Sequence, residues 1–400
     1  MKKMNKLMAL LLSSTLFLSA CGANNQESTS NEAPTETEQT IEVEEKETSE
    51  ETPAETEEKD GETEEKTEET EETSEEETST EVANEDSDLT AEELEAWKKE
   101  PFYGKPVKIG YGGGLCVGAP GIAHAQGMFE KEGIETEIVN VQSKIDAIGT
   151  GQIQLTTDHI ASLLVPTVNG VDAVFKKAAQ TGCKSLYVLD NDEINSTEDL
   201  KGKTIGLPDG IGASDHNIAL RFLNHDDIAP EEVKFVPVEG SASILALENG
   251  ELASVVLSDQ FAEKFVNEGK IKMIRSLTYD DDFKKEPCCV YAFNKTFEEE
   301  NPITAKKMTK VLFEVSDFIA EDVERATQIL FDNNWASGDF DQAVRMMDSY
   351  NWQVTNEMSS DALTSILDDY KEFGIINSDK STEELLSEVW HEEDYEHKPL

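Results

Sequence analysis

Five cysteines are the residues of this sequence with the most distinctive chemistry. Cys21 ends a short apolar segment, and the other four lie far downstream, at Cys116, Cys183, Cys288 and Cys289. Thiolates select soft or borderline metals such as Zn²⁺ and Cu⁺, but this spacing does not match the paired Cys-x-x-Cys motifs of zinc sites. Two other interpretations stay open. The cysteines could be buried and include a stabilising disulfide, or they could shape a pocket for an organic ligand.

The adjacent pair Cys288 and Cys289 narrows these alternatives. Neighbouring Cα atoms are about 3.8 Å apart, closer than the roughly 4.4–6.8 Å that disulfides prefer, so a bridge between the two would be strained. In an extended strand, successive side chains point to opposite faces. Both thiols can therefore line one pocket only where the strand bulges, which is the main argument against a site built from all four.

Polar residues near predicted strand ends are further candidates. Asp158 and His159 follow a predicted strand; we expect Asp158 to cap the next helix and regard His159 as a candidate for lining a pocket. A glycine-rich loop, residues 112–114, follows the first predicted strand and would let the backbone approach a ligand, which makes Gly113 and Leu115 candidates. The loop lacks the G-x-G-x-x-G pattern, so a dinucleotide site is not predicted.

Two predicted helices begin with polar residues. Ser214, Asp215 and His216 open one helix, and Ser258 and Asp259 follow a later strand in the same way. Free backbone N–H groups at a helix start suit an anion or a polar group. Plain helix capping explains the same residues, so both interpretations stay open.

An alternation of strands and helices must position these candidates. From Val107 onward, short apolar runs alternate with helical stretches, which predicts an α/β fold. Strands are predicted at 107–111, 136–141, 153–156, 171–179, 185–189, 204–207, 233–238, 255–257, 271–274 and 288–293. Between them a helix is predicted over Ile122–Lys131, and from Pro302 to about Val389 the pattern is nearly all helical.

The first 20 residues have the pattern of an export signal. Three lysines precede a short apolar run that is well below the roughly 20 residues of a spanning helix. Leu18-Ser19-Ala20-Cys21 resembles the bacterial lipobox, in which the cysteine is diacylated. The segments are therefore predicted as a signal peptide over 1–20 and a lipid anchor, with palmitate-type acyl chains, at Cys21.

Acidic residues dominate the next segment. The whole chain has 34 Lys plus Arg against 85 Asp plus Glu, a formal charge of −51. Residues 22–90 contain 28 acids and three lysines, a net charge of −25, with almost no aromatic residues. Such a segment buries too little apolar surface to fold, so we predict a disordered linker over 21–100. The acidity also argues against a nucleic-acid partner.

Several motifs, in one order, resemble the substrate-binding proteins of ABC importers, in the nitrate/sulfonate/taurine and thiamine-precursor branch. The matching segments are residues 107–111 with 123–134, the Gly149-x-Gly151-Gln152-Ile153 turn, Asp199-Leu200-Lys201-Gly202-Lys203, and Leu247-x-x-Gly250 with 253–256. They cover residues 106 to about 350. Gln154 and Ser254 stand where this family usually has Asp, which puts the usual polar contacts there in doubt.

The resemblance implies a type II periplasmic-binding-protein fold, in which two α/β lobes flank a central cleft. Lobe one is expected to comprise 101–185 plus 287–400, with the C-terminal helices, and lobe two to comprise 186–286. All four downstream cysteines would then lie near the cleft and hinge. Closure about such a hinge would trap the ligand.

The implied function is capture of a small solute for an ABC permease, at the extracytoplasmic face of the cell membrane, without catalysis and without a cofactor. No arginine falls in a predicted cleft loop, so a bidentate clamp on carboxylate or sulfonate is unsupported, and Lys184 is the best cation near the hinge. One alternative is a thiol-rich receptor for a soft metal or an organometal compound. A Cys-dependent enzyme is the other, although no motif supplies the base that a nucleophilic cysteine needs.

Overall fold

The structure, a computed structural model, describes residues 89–399. The predicted signal peptide, the predicted lipid anchor at Cys21 and nearly all of the predicted linker lie outside the described residues. Two five-stranded sheets, each flanked by helices, form the mixed α/β architecture that the sequence predicted. Among residues 89–399 no helix is both long enough and apolar enough to cross a membrane.

The described elements follow one another in two βα series and a helical C-terminal part. The strands are β1 (Val107–Gly110), β2 (Thr136–Val139), β3 (Leu155–His159), β4 (Ala173–Ala178), β5 (Lys184–Leu189), β6 (Thr204–Leu207), β7 (Lys234–Pro237), β8 (Ser254–Ser258), β9 (Ile271–Ser276) and β10 (Cys289–Asn294). The helices are α1 (Ala91–Trp97), α2 (Ala119–Ala125), α3 (Met128–Lys131), α4 (Lys144–Gly149), α5 (Ile160–Val168), α6 (Ser214–His225), α7 (Gly240–Glu248), α8 (Asp259–Asn267), α9 (Lys295–Glu300), α10 (Pro302–Glu321), α11 (Val323–Asp332), α12 (Phe340–Asp348), α13 (Asn356–Glu372) and α14 (Thr382–Val389).

The first sheet has the order β2-β1-β3-β10-β4. Its strands β1, β2 and β3 are parallel, and β10 runs antiparallel to both β3 and β4. Parallel neighbouring strands need a crossover connection, which is usually a helix, and the helices between these short apolar strands supply it. Strand β10 belongs to this first sheet although it follows all the strands of the second sheet in the sequence.

The second sheet has the order β7-β6-β8-β5-β9. Here β5, which comes directly from the first sheet, is antiparallel to β8 and β9. Two chain segments thus connect the lobes, one before β5 and one before β10. They lie side by side, since Thr181 and Pro287 form an isolated antiparallel bridge.

Two predictions of secondary structure need correction. The predicted helix Ile122–Lys131 is two helices. Gly127 takes the left-handed conformation (φ 63°), which interrupts the helix between α2 and α3. The third strand runs from Leu155 to His159 rather than over 153–156, since the turn at Gly151 delays it.

Folded structure also begins earlier than predicted. Helix α1 lies inside the predicted linker and starts with a capping box formed by Thr90 and Glu93. Trp97 at its end is buried, and its indole N–H donates a hydrogen bond to Thr304 Oγ1 on α10 at 2.9 Å. This short amphipathic segment was assigned to the linker because the residues before it are highly acidic.

Candidate functional site

A cavity of about 530 Å³ lies between the two lobes. The first lobe contributes Asp158, His159 and Ser162, from the end of β3 and the start of α5. The second lobe contributes residues at strand ends and helix starts: Lys184, Pro208, Asp209, Asp215, Gly240, Val256, Leu257, Ser258 and Phe261. This volume suits a small molecule. Another cavity of about 270 Å³ is lined by second-lobe residues and lies outside the cleft.

Beside this cavity four soft donor atoms converge. The sulfur atoms of Cys116, Cys183 and Cys289 and a ring nitrogen of His159 all lie within 4.8 Å of one another. They come from four separate segments: the loop after β1, the segment entering β5, the first residue of β10 and the last residue of β3. We call these residues the Cys₃His cluster.

The glycine-rich loop positions Cys116. Gly113 and Gly114 have φ values of 121° and 111°, which residues with a side chain rarely adopt. A Cβ atom on Gly113 would lie 2.9 Å from the backbone oxygen of Trp335. Gly114 N donates to that same oxygen at 2.8 Å. The loop therefore packs against Trp335 in the segment that follows α11, and this contact directs the following Cys116 toward the cluster.

Cys183 has an unusual backbone conformation for a buried residue other than glycine, with φ at 96°. Its N–H donates to Thr278 Oγ1 at 2.9 Å, and its carbonyl oxygen accepts from Asp259 N at 3.0 Å. Thr278 in turn donates to the Asp259 carboxylate at 2.5 Å. This network holds a conformation that costs free energy by itself.

The vicinal cysteines differ in their position relative to strand β10. Cys289 lies opposite His159 in the β3–β10 ladder and joins the cluster, whereas Cys288 precedes the strand and lines a different, small cavity. Cys288 Sγ is nevertheless 2.9 Å from Cys183 Sγ. All four described cysteines carry free thiols in this structure.

His159 is oriented by its neighbour in sequence. Its Nε2 lies 3.4 Å from Cys183 Sγ, and its Nδ1 lies 3.2 Å from Asp158 Oδ1. Asp158 also accepts a hydrogen bond from His159 N at 2.8 Å, and Lys144 Nζ is 3.8 Å from its other oxygen. The prediction that Asp158 caps α5 is wrong, because the N-cap position is His159 and Asp158 is still within β3.

The surroundings of the cluster favour ionisation of one thiol, Cys289. Burial raises the pKa of Cys183 and Cys288. Burial opposes ionisation of Cys289 too, but hydrogen bonds from the other three thiols, and His159, bring the pKa of Cys289 well below its usual value. Burial would lower the pKa of His159, yet the Cys289 and Asp158 charges raise it.

A second polar group lies on the opposite wall of the cavity. Lys184 Nζ contacts Asp209 at 2.6 Å, Ser214 Oγ at 2.9 Å, and the buried Asp215. Although burial opposes it, Lys184 and Ser214 lower the pKa of Asp209 to about 2. Two carboxylates thus neutralise the one lysine, and this wall carries no free positive charge for an anion.

The other predicted site residues lie at or behind the cavity walls. Leu115 is buried in the hydrophobic core, and Gly113 serves the loop geometry. His216 stacks edge-on against Phe235 and does not line the cavity. Ser258 caps α8 through Phe261 N, and Asp259 is buried, where it accepts a hydrogen bond from Tyr187.

Among the cavity residues that sequence reasoning missed, three are polar or aromatic. Asp209 follows β6 and Ser162 lies in the first turn of α5, and both positions fit the rule that ligands meet strand ends. Phe261 is 38% exposed and faces the cavity. Its position in the first turn of α8 was a usable signal.

The two departures from the family pattern have different surroundings. Gln154 accepts a hydrogen bond from Lys108 N at 3.0 Å and donates one to Gly151 O at 2.9 Å, so it joins two parts of the first lobe. Ser254 Oγ is buried, and within residues 89–399 it has no hydrogen-bond partner. Gln154 therefore makes local hydrogen bonds in place of the family's usual Asp, whereas Ser254 does not.

Solved structures share this fold. The aliphatic sulphonate-binding protein of Escherichia coli superposes with a TM-score of 0.59 at 16% identity, over 74% of this chain and 95% of that one. The nitrate-binding protein of Synechocystis PCC 6803 gives 0.57 at 14% identity, over 71% and 86%. At these identities the likeness establishes the fold.

Sequence comparison identifies a relative and a family in addition to the fold. A Brucella abortus (strain 2308) protein named as a "putative binding protein" is 24% identical over 241 residues, which is 56% of this chain and 70% of the relative. The family model described as NMT1/THI5 like matches residues 121–326, and this span includes nine of the ten described strands, all except β1, and three of the four cluster residues. The match covers more than half of the chain, which therefore belongs to the NMT1/THI5-like family.

Proposed function

We propose that this protein is an extracytoplasmic, lipid-anchored receptor that captures a small solute between its lobes and delivers it to the permease of an ABC importer. The cavity of about 530 Å³, lined by both lobes at strand ends and helix starts, carries this proposal. Family membership and the sulfonate- and nitrate-binding names of proteins with the same fold support it. No catalytic step is part of the proposal.

Contacts between the lobes support capture by hinge closure. Asn217 on α6 donates to Ala161 O on α5 at 2.8 Å, and Arg221 Nε donates to Asp369 on α13 at 2.6 Å. On the other side of the cleft, Arg345 on α12 contacts Glu263 on α8 at 3.0 Å. An opening motion would break all three contacts, so a bound solute would have to supply the remaining free energy of closure.

The cavity charges favour a neutral or cationic solute over sulfonate or nitrate. Asp158, Asp209 and Asp215 line the cavity, and Lys184 is already paired with two of them. None of the four arginines is among the lining residues. A bidentate Arg–sulfonate contact, the strong form of such recognition, has no counterpart here.

Mass spectrometry of the intact chain, extracted from membranes in mild detergent, tests the receptor function. We expect one small molecule per chain, released chemically unchanged on unfolding. Release of a converted product, or turnover of the added molecule, would instead favour a Cys-dependent enzyme.

A Cys21→Ser variant tests the anchor. Without the acylated cysteine the chain should leave the membrane fraction, because one or two acyl chains supply the whole attachment. Retention of the variant in the membrane, with the same electrophoretic mobility as the unchanged chain, would contradict the lipid anchor.

A further inference from the structure

We propose that the Cys₃His cluster binds one thiophilic metal ion of the Zn²⁺ or Cu⁺ class, held by Cys116, Cys183, Cys289 and His159 at the edge of the interlobe cavity. The inference deepens the proposed receptor function by naming its substrate class, and for the role of the metal as cargo it rests on that function.

The donor geometry is close to that of a four-coordinate site. Tetrahedral coordination with metal–sulfur distances of about 2.3 Å and metal–nitrogen distances of about 2.0–2.1 Å places the donors about 3.5–3.8 Å apart. The four donor atoms lie within 4.8 Å of one another, and His159 Nε2 is 3.4 Å from Cys183 Sγ. Binding therefore needs inward side-chain shifts of less than about 1 Å.

The surroundings of His159 match what a metal-binding histidine needs. A proton on Nδ1 can be donated to Asp158 Oδ1, 3.2 Å away, which leaves the Nε2 lone pair directed at the thiols. Such a carboxylate–histidine pair fixes the ring tautomer and orientation in metal sites. Lys144, 3.8 Å from Asp158, holds the carboxylate in turn.

The donor types select the class of ion. Three sulfur ligands and an imidazole favour soft or borderline ions, whereas Mg²⁺ and Ca²⁺ prefer oxygen ligands. Within the four-donor group no carboxylate oxygen takes part, since Asp158 contacts the histidine instead. Hard divalent ions should therefore bind poorly.

The distribution of the donors over the hinge argues for cargo rather than for a fold-stabilising ion. Cys183 and Cys289 stand at the two segments that connect the lobes, while Cys116 and His159 belong to the first lobe. His159 also faces the open cavity. An ion that binds all four donors would enter through the cleft and hold the connecting segments in one arrangement, which couples binding to closure.

The competing chemistry is a disulfide between Cys183 and Cys288, whose sulfur atoms lie 2.9 Å apart. That bond would consume one donor and leave the cluster with two thiols. Cys288 also provides a matched control, because it is adjacent to Cys289, has the same side chain and is outside the four-donor group.

Metal titration of the full chain in detergent, reduced and chelator-stripped under nitrogen, tests the inference. We expect one Zn²⁺ or Cu⁺ per chain by elemental analysis, no saturable binding of Mg²⁺, and thiolate-to-cobalt charge-transfer absorption when Co²⁺ is added. Zn²⁺ binding should weaken more than about 100-fold in each of four variants: Cys116→Ser, Cys183→Ser, Cys289→Ser and His159→Gln. A loss of this size exceeds the range known for outer-shell partners, and Asp158→Asn, which changes such a partner, should weaken Zn²⁺ binding about 10-fold. Cys288→Ser should stay within about threefold, and circular dichroism establishes that each variant is folded.

Three results would overturn the inference: no stoichiometric metal, equal binding of Mg²⁺, or a larger loss for Cys288→Ser than for Cys289→Ser. A Cys183–Cys288 disulfide that resists removal in the membrane-extracted chain would overturn it as well. Small-angle scattering separates the two proposals. Closure on a metal-free solute by a chain that binds no metal would refute the metal site and keep the receptor, whereas metal binding without closure would keep the site and refute the cargo role.

Discussion

Cys183 combines a strained backbone conformation with a thiol that belongs to the Cys₃His cluster. Its φ of 96° is rare for any residue with a Cβ atom. Cys183→Gly should relieve that strain while Cys183→Ala keeps it, so the glycine variant should be more stable than the alanine variant by about 1 kcal/mol, the strain less the entropy cost of glycine. Urea unfolding of both variants with chelator present measures the difference. An alanine variant as stable as the glycine variant would show that the conformation is unstrained.

The buried environment of Lys177 predicts a pH-dependent contribution to the free energy of unfolding. Its ammonium group is fully buried, donates to Ala178 O at 2.9 Å and lies over the Phe313 ring. Burial lowers the pKa of Lys177 to about 7, only partly opposed by Asp317. Between that pH and 10.5 the unfolded chain binds more protons than the folded one, so the free energy of unfolding rises with pH.

Comparison with Lys177→Met isolates this contribution. The stability of the unchanged chain relative to the variant should rise from pH 7 to pH 9, by up to about 1.4 kcal/mol per pH unit. Denaturant unfolding at three pH values in this window measures it. A difference that stays constant with pH would mean that the amine is charged in the folded state throughout.

At the scale of elements, α1 shows where the folded part begins. Trp97 is 8% exposed, packs under Lys307 and hydrogen-bonds to Thr304. Deletion of residues 22–88 should leave the melting temperature unchanged, whereas deletion of residues 22–99 should cost about 3–5 kcal/mol, the usual loss for a buried tryptophan. Calorimetry of the two deletion variants decides this, and equal melting temperatures would mean that α1 contributes nothing to stability.

The elements themselves were largely predictable, and the exceptions have local causes. The bounds of β6 were predicted to the residue, because it has a clear apolar pattern between turn residues. Gly127, which divides α2 from α3, looked like a tolerated glycine within one helix. Whether a helix continues through a glycine depends on the packing on either side of it, and no local pattern contains that information.

The whole molecule is held in its described arrangement by contacts of unequal weight. Arg221 is buried and pairs with both Glu286 and Asp369, whereas the Arg345–Glu263 pair at the other side has an arginine side chain that is 58% exposed. Removal of a buried charge leaves its partners unpaired at a large cost, and exposed pairs contribute little. Arg221→Met should therefore open the solute-free chain and raise its radius of gyration, while the matched Arg345→Met should not.

Small-angle scattering of the two variants and the unchanged chain measures this difference. Equal scattering curves for Arg221→Met and the unchanged chain would show that other contacts maintain the closed arrangement. A larger expansion for Arg345→Met would reverse the assignment of the two sides.

The sequence by itself determined the α/β class, the order of the elements and the family. Each of these follows from residues close together in the chain, through apolar period, turn chemistry or strand alternation. Only the tertiary structure decided that Cys116, His159, Cys183 and Cys289 meet, that Asp158 serves the histidine instead of a helix cap, and that two carboxylates neutralise Lys184. The donors are separated by up to 173 positions, and they converge only because β10 returns to the first sheet beside β3, a long-range pairing that no local pattern specifies.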